Sequence, residues 1–264
     1  MRRTFLHMAT MTAGALLVAA GALQAQDWSW SGSVDRGDAV EVRGVNGEIH
    51  AERTSGSEVE VVAQMSARRS DVGTVRIEVI EDASGVLICA VYPDRDGKEP
   101  NRCGRDDDYH MNTSENDVQV DFLVRVPDGV NYIGVTVNGD ASALDLTGEV
   151  NVVTVNGSIA MSTSGWGSAT TVNGSIDAEI GATSWDRPLN FTTVNGAITV
   201  GLPAGVQADV EAQTLNGGIE TDFEMVIRGQ TKLGMRQLDA EIGGGGGELE
   251  LTTVNGAIRL VRMN

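Results

Sequence analysis

The chain has 264 residues, of which 41% are hydrophobic, 4% are aromatic and 33 are glycine, and its formal net charge is −18. A surface this acidic repels phosphates, which argues against nucleic acid or an anionic membrane face as a partner. Because aromatic side chains are scarce, the composition also argues against a conventional globular core and favours a narrow core of Val, Ile, Leu and Ala.

The first 26 residues have the pattern of an export signal. Arg2 and Arg3 precede an apolar, Ala-rich stretch over Met8–Leu23, and small residues suitable for cleavage stand at Ala22 and Ala25. The stretch is short for a membrane span, so the sequence predicts an exported protein of the periplasm or cell surface, with no transmembrane span in the mature chain. The paired arginines leave the general secretory (Sec) and twin-arginine routes open. Without this segment, 17 basic residues face 37 acidic ones, a net charge of −20.

Residues 27–131 are predicted to form an N-terminal β region. A polar lead-in over 27–38 is followed by short runs in which apolar and polar residues alternate, as in a strand with one buried face. Because turn residues separate these runs, we expect several of the strands to pair antiparallel. The runs contain Val40, Val59, Ile77, Ile88 and Phe122.

Cys89 and Cys103 enclose a polar loop in this region. In an oxidising compartment, two cysteines 14 residues apart are predicted to form a disulfide. On the loop-entropy account, such a bond stabilises the fold by about 3 kcal/mol. Carboxylates in and after the loop also suggest calcium, which takes about six to eight oxygen ligands, although a charged, solvated loop is the plainer explanation. The calcium candidates are Asp94, Asp96, Asp106 and Asp108.

A hexapeptide of the form TVNGxI recurs through residues 132–264, with one outlying copy earlier in the chain. The copies begin at Gly44, Thr136, Thr154, Thr171, Thr193, Thr214 and Thr253. From the second copy onward their asparagines are 18, 17, 22, 21 and 39 residues apart, and the last gap suggests two periods with one decayed copy. A recurrence of about 20 residues indicates stacked units, each too small to bury its own apolar face. The sequence therefore predicts an all-β fold, a single-chain β-solenoid of stacked short parallel strands with about 20 residues per rung, continuous over 39–264.

Two geometries fit the Asn-Gly pair at the centre of each copy. Asn-Gly between apolar residues is a strong hairpin signal, which would make each copy a turn in a meander. Near-identical copies at near-constant spacing favour a parallel stack instead, in which the asparagines form a column and hydrogen-bond along it. The pairs are Asn46-Gly47, Asn138-Gly139, Asn156-Gly157, Asn173-Gly174, Asn195-Gly196, Asn216-Gly217 and Asn255-Gly256.

Within each copy, the second and the last residue are predicted to face the core. Such pairs are Val155 with Ile159, Val172 with Ile176, and Val194 with Ile198. The leading threonine is β-branched and suits a strand. The glycine is predicted to take the positive φ of a sharp bend, which asparagine also tolerates.

Recurrent TVNGxI bends after an export signal resemble the bacterial putative-adhesin family of unknown function, which is related to the toastrack domains. The resemblance covers about Val40–Met263 and rests on the repeated hexapeptide and on the chain's end soon after the last copy. It implies a β-solenoid at the cell envelope, and some relatives accompany envelope-stress regulators. No catalytic residues are established for the family, so the resemblance implies none here. The family pattern does not place the loop between Cys89 and Cys103.

The sequence shows no catalytic set and predicts no cofactor. Only His50 and His110 follow the signal, and without a GxSxG-like elbow they argue against a nucleophile–base–acid triad. Paired acids on one strand face leave a polysaccharide-active enzyme as an alternative, beside the simpler explanation of a solvated polar face. The pairs are Asp177 with Glu179 and Glu220 with Asp222. The glycine run over 243–247 is predicted to be a flexible turn.

Trp166 and Trp185 fall in loops between copies, about one period apart. They are candidates for a surface that binds sugar rings or a protein, or else they cap the apolar interior. The leading hypothesis is a non-enzymatic exported cell-envelope protein, an adhesin-like binding or scaffolding β-solenoid whose partner is an envelope protein or a glycan. A periplasmic envelope-stress accessory protein is the first alternative and the enzyme the second. An uncovered last rung would also allow end-to-end self-association.

Overall fold

The computed structural model describes residues 24–97, 99–105, 109–228 and 236–263. The predicted export signal lies outside this part of the chain except for residues 24–26, which begin the first strand. The described residues form an all-β architecture of two large sheets, with one 3₁₀ turn at Val72–Thr74. None of these residues belongs to a helix long and apolar enough to cross a bilayer.

The first sheet, sheet A, has ten strands in the described residues. In spatial order they are β1 (Gln24–Gly32), β4 (Val59–Ala67), β7 (Gln119–Pro127), β3 (Ile49–Thr54), β9 (Ala141–Leu146), β11 (Ile159–Thr163), β13 (Ile176–Ile180), β15 (Ile198–Pro203), β21 (Ile258–Met263) and β17 (Ile219–Thr221).

The second sheet, sheet B, has eleven strands in the same part of the chain. In spatial order they are β18 (Met225–Ile227), β19 (Arg236–Ile242), β16 (Ala208–Asn216), β20 (Gly247–Asn255), β14 (Leu189–Thr192), β12 (Gly167–Thr170), β10 (Val150–Val153), β8 (Asn131–Val135), β2 (Ala39–Arg43), β6 (Gly85–Val91) and β5 (Arg76–Asp82).

Seven coils of chain give one strand to each sheet and stack in parallel. Going along the stack, the coils are β2–β3, β8–β9, β10–β11, β12–β13, β14–β15, β20–β21 and β16–β17. Like residues lie beside like residues, since Ile159 pairs with Ile176 and Ile176 with Ile198. Side chains alternate between core and solvent along each strand, because successive residues of a strand point to opposite faces. The predicted all-β solenoid with stacked parallel strands is confirmed, although the two sheets do not close into a tube.

Antiparallel strands extend both ends of the stack. At the N-terminal end β1 pairs with β4, β4 with β7, and β5 with β6, which confirms the expected antiparallel pairing in this half. The polar lead-in predicted over 27–38 is wrong for its first residues, which belong to β1, because Trp28 and Trp30 pack against the core. At the other end β19 pairs antiparallel with β16 and β18, an extension that the repeat pattern does not predict.

The coils do not stack in the order in which they occur in the sequence. The C-terminal coil, β20–β21, lies between β14–β15 and β16–β17. The prediction of a decayed copy before Asn255 is therefore wrong, because β18, β19 and the glycine turn fill that gap of the sequence. The last copy is consequently an internal coil, and the coil β16–β17 lies at the end of the stack.

The predicted inward pairs are wrong in one member. Ile159 is buried, but Val155 is 36% exposed, and Thr154 is 1% exposed in its place. The threonine hydroxyl is satisfied inside, because Thr154 Oγ1 donates to Gly139 O of the neighbouring coil at 3.0 Å. All six threonines of the repeats make the same bond, at 2.9–3.1 Å. A buried hydroxyl costs little once it is bonded, so a buried Thr-Ile pair forms the core layer in the copies that begin at Thr154, Thr171, Thr193 and Thr253.

The repeat glycines are needed for close approach more than for a left-handed backbone. Of the seven, Gly47 has a positive φ, +127°, whereas the prediction of positive φ is wrong for the other six. A Cβ at Gly174 would lie 1.9 Å from Gly157 O, and a Cβ at Gly157 would lie 2.0 Å from Gly139 O. The corners of successive coils therefore stack so tightly that any side chain at this position would enter the backbone of the previous coil.

Candidate functional site

An asparagine ladder runs along one corner of the stack. In every copy except the first, the amide Nδ2 donates to Oδ1 of the asparagine one coil nearer Asn46, at 2.8–2.9 Å. Isolated bridges between most of these residues hold the corner in parallel register. In spatial order the ladder contains Asn46, Asn138, Asn156, Asn173, Asn195, Asn255 and Asn216. Each amide inside the ladder uses one N–H and one acceptor position along the axis, which leaves the other N–H and acceptor position available.

An aliphatic stripe runs beside the ladder, one residue earlier in every copy. Five of its side chains are 36–47% exposed, and the sixth, Val254, is half-buried. The stripe contains Val137, Val155, Val172, Val194, Val254 and Leu215. In the first coil the equivalent Val45 is buried. We call the stripe and the asparagine ladder together the TVNG ridge. With coils about 4.8 Å apart, seven copies make a ridge about 29 Å long.

The two tryptophans proposed as a binding surface lie on a different corner, and each reaches to the next coil. Trp166 Nε1 donates to Pro188 O at 2.9 Å, and Trp185 Nε1 donates to Glu248 O at 2.8 Å. Both indoles are half-buried and pack against the core, and Arg187 stacks on Trp166 at 3.9 Å. These contacts give both residues a structural role, so their use as a binding surface stays a prediction.

The acid pairs face solvent on the outer side of sheet A. Asp177 and Glu179 lie beside a shallow cavity of about 310 Å³ that Leu144 and Gly201 also line. In the described part of the chain neither of these two carboxylates has an ion pair. The second pair is engaged: Glu220 binds Arg259 at 2.7 Å, and Asp222 accepts the Arg262 main-chain N–H at 3.3 Å. The enzyme hypothesis therefore rests on the first pair alone.

Tertiary structure also brings Ser142, His50 and Glu52 together. His50 Nδ1 lies 2.6 Å from Ser142 Oγ, and Nε2 lies 3.7 Å from the Glu52 carboxylate. A Ser–His nucleophile also needs donors that stabilise an oxyanion. The neighbours in the same row, Leu123 and Ala160, have no side-chain donor, and β3 and β9 are interior strands whose main-chain groups pair with strands on both sides. We interpret the trio as a cross-strand polar contact.

The disulfide loop packs on the outer face of sheet B. Cys89 and Cys103 are joined, and with Leu87 and Val91 they form a small second core. Glu41 beneath the loop is 4% exposed, and Arg105 binds it at 2.6 Å. The loop is thereby held to the sheet by a covalent bond, an apolar cluster and a buried ion pair.

The calcium candidates are only partly described. Asp106 and Asp108 lie outside the described residues. Asp96 N donates to Asp94 Oδ1 at 3.4 Å, and the Asp96 carboxylate lies 3.6 Å from Arg95. In the described ranges, Asp94 and Asp96 included, no three His, Cys, Asp or Glu side chains are placed to hold a metal ion. The calcium prediction therefore stays a prediction.

No family model matches this sequence, and a search of curated proteins finds no match. Among solved structures, the fold is similar to a putative cell adhesion protein from Clostridium sporogenes, with TM-score 0.50 and 12% identity over 90% of this chain and 100% of that chain. A putative adhesin from Bacteroides fragilis also matches, with TM-score 0.37 and 10% identity over 92% of this chain and 97% of that one. The chain thus shares its two-sheet fold with the Clostridium sporogenes protein.

Proposed function

We propose that this chain is a non-enzymatic binding protein of the cell envelope with an adhesin-like role, and that its contact surface is the TVNG ridge. The observation that carries the proposal is the aliphatic stripe, a straight column of exposed side chains along the stack. Single exposed apolar residues are ordinary, whereas a continuous exposed patch is typical of an interaction site.

The stripe is the one part of the repeat that the fold does not explain. Within TVNGxI, threonine bonds a glycine carbonyl, asparagine forms the ladder, glycine permits close approach, and isoleucine fills the core. From the second copy onward the second residue does none of these, because its side chain lies at the surface, exposed or half-buried. A polar β-former such as threonine would fit the same position. Its repetition as Val or Leu in the six copies where it lies at the surface favours a role in binding.

The ridge offers two kinds of contact in a regular array. Apolar side chains can cover the apolar face of a sugar ring or a protein surface, and the free amide groups of the ladder can donate to and accept from hydroxyls or peptide groups. A partner with its own repeating units could therefore engage several coils at once, which raises the overall affinity without strengthening any single contact. The fold shared with the putative cell adhesion protein from Clostridium sporogenes also supports this role.

The test is retention of the purified protein on immobilised envelope fractions, with glycan and protein components presented separately. We expect a variant with Val155→Thr, Val172→Thr and Val194→Thr to bind about tenfold more weakly, since a polar hydroxyl replaces three apolar contacts that are worth at most about 0.8 kcal/mol each, or about fiftyfold together. A double variant, Val226→Thr with Ile227→Thr, removes exposed apolar groups outside the ridge and should bind normally. Equal binding by the ridge variant, or no binding by the wild type, would contradict the proposal.

A further inference from the structure

A polar groove lies where the asparagine ladder ends at the first coil. Its cavity has a volume of about 770 Å³. We call it the end groove, and its lining includes Asn46, Asn138, Arg68, Arg69, Asn116 and Gln119. Four carboxamides and two guanidinium groups thus surround one cavity, in a chain whose net charge is −18.

The direction of the ladder gives this groove a donor end. All six amide bonds run in the same sense, and Asn46 Oδ1 accepts from Asn138 Nδ2 at 2.9 Å. Asn46 Nδ2 has no hydrogen-bond partner in the described residues, so the last N–H groups of the ladder are unused. Hydrogen bonds in a chain polarise one another, which concentrates positive potential at the donor end. An acceptor oxygen in the groove would occupy the place of the next asparagine.

The two arginines reinforce that potential. Arg68 has no ion pair with any described residue, whereas Arg69, whose side chain is 88% exposed, has its Nε 3.6 Å from the Asp117 carboxylate, which offsets part of its charge. The acid in the groove lining, Asp117, holds the turn that carries them, because it accepts the main-chain N–H groups of Ser70 at 2.8 Å and Arg69 at 3.1 Å. These bonds, chiefly the one from Ser70, lower the pKa of Asp117 to about 2. The turn that carries the two arginines is therefore fixed beside the cavity that both of them line.

We propose that the end groove binds one acidic sugar, a uronic acid residue at the end of an otherwise neutral glycan. Guanidinium groups bind a carboxylate through paired hydrogen bonds, and the carboxamides can donate to and accept from ring hydroxyls. A single acid is favoured over a polyanion, because the net negative charge of the whole protein repels extended anions. This inference rests on the proposed binding function and names a ligand class for it.

The experiment titrates the purified protein with a glucuronic-acid-terminated disaccharide and with its glucose-terminated counterpart, followed by calorimetry or by NMR shifts. We expect the acidic disaccharide to bind at least about tenfold more tightly than the neutral one, with an affinity that falls as salt rises. Arg68→Gln with Arg69→Gln should abolish this preference. A matched double variant, Arg76→Gln with Arg95→Gln, makes the same change in net charge away from the groove and should keep the preference.

Several results would overturn the proposal. They are equal binding of the two disaccharides, no binding of the acidic one at millimolar concentration, and an unchanged preference in the Arg68→Gln, Arg69→Gln variant. A tripeptide with one glutamate that bound as tightly as the acidic disaccharide would overturn the glycan assignment. The ridge variant described above should still bind the acidic disaccharide, so failure of the groove and failure of the ridge are separable outcomes.

Discussion

The glycine at the corner of each coil gives the sharpest test of the stacked architecture, and Gly174 is the best position for it. Its φ lies outside the left-handed region, so alanine there meets no backbone strain of its own. The added Cβ would nevertheless lie 1.9 Å from Gly157 O and 2.4 Å from the carbon of the same carbonyl. Because both atoms belong to backbone in the neighbouring coil, the two coils must separate at this corner by more than about 1 Å.

The cost can be estimated from the bonds that this separation breaks. They are Thr171 Oγ1 to Gly157 O at 2.9 Å, Gly157 N to Asn173 O at 3.0 Å, and Asn173 Nδ2 to Asn156 Oδ1 at 2.8 Å. At about 1 kcal/mol for each bond, plus about 1 kcal/mol for the threonine hydroxyl left buried without a partner, Gly174→Ala should lower the free energy of unfolding by about 4 kcal/mol. That loss is a large fraction of the stability of an ordinary domain.

The assay is urea unfolding followed by circular dichroism and tryptophan fluorescence. Gly205→Ala is the matched control, because its Cβ would meet no atom within 4 Å and its φ is also outside the left-handed region. That substitution should leave stability unchanged or raise it by about 0.5 kcal/mol. If the two variants unfolded at the same urea concentration, the corners could not be stacked as closely as described, and the explanation of the repeat glycine would be wrong.

Three further predictions follow from the same structure. Thr171→Val removes a buried, bonded hydroxyl and should cost about 1 kcal/mol of unfolding free energy, whereas Val172→Thr at the exposed neighbour should change it by less than about 0.5 kcal/mol; a larger effect at the exposed position would contradict the inward threonine. Replacing Cys89 and Cys103 together by serine should lower stability by about 3 kcal/mol and make the loop between them a site of rapid proteolysis, and equal cleavage of wild type and variant would count against its docking. Asp117 has a pKa of about 2 in the fold against its ordinary value of 3.8, so its contribution to stability is present above about pH 4 and is lost as the pH falls toward 2; an acid titration should show that loss in the wild type and not in Asp117→Asn.

Repetition in the sequence predicts the architecture because every coil has the same surroundings. Asn173 has a like residue above and below it, and so do Gly174 and Ile176, so each copy inside the stack is under the same constraints. That is why the all-β class, the parallel stack and the asparagine column could be predicted without coordinates. The direction of Val155 could not, because threonine and valine are nearly the same shape, and only the Gly139 carbonyl on another coil decides which of them is buried.

The end groove could not be predicted from the sequence either, but for a different reason than the direction of Val155. Asn46, Arg68 and Asn116 come from separated parts of the chain, and only the packing of β4 and β7 beside the first coil brings them together. The adjacent arginines were the one available signal, since they stand out in an acidic chain. A pair of basic residues by itself does not identify a site, because the sequence does not show whether acids neutralise it in the fold.

By itself, the sequence determined the type of coil and its length of about 20 residues. The hexapeptide marks the corner of each coil, and its spacing gives the number of residues per coil. The tertiary structure alone decided which coil stacks on which. Equivalent copies are interchangeable as neighbours, and so their spacing cannot show that the C-terminal coil lies between two earlier ones. The physical reason is that a parallel strand can hydrogen-bond to the edge strand of any coil with the same register. Which edge the last coil joins depends on β18 and β19, because these strands extend sheet B beyond β16 before the chain returns to form β20.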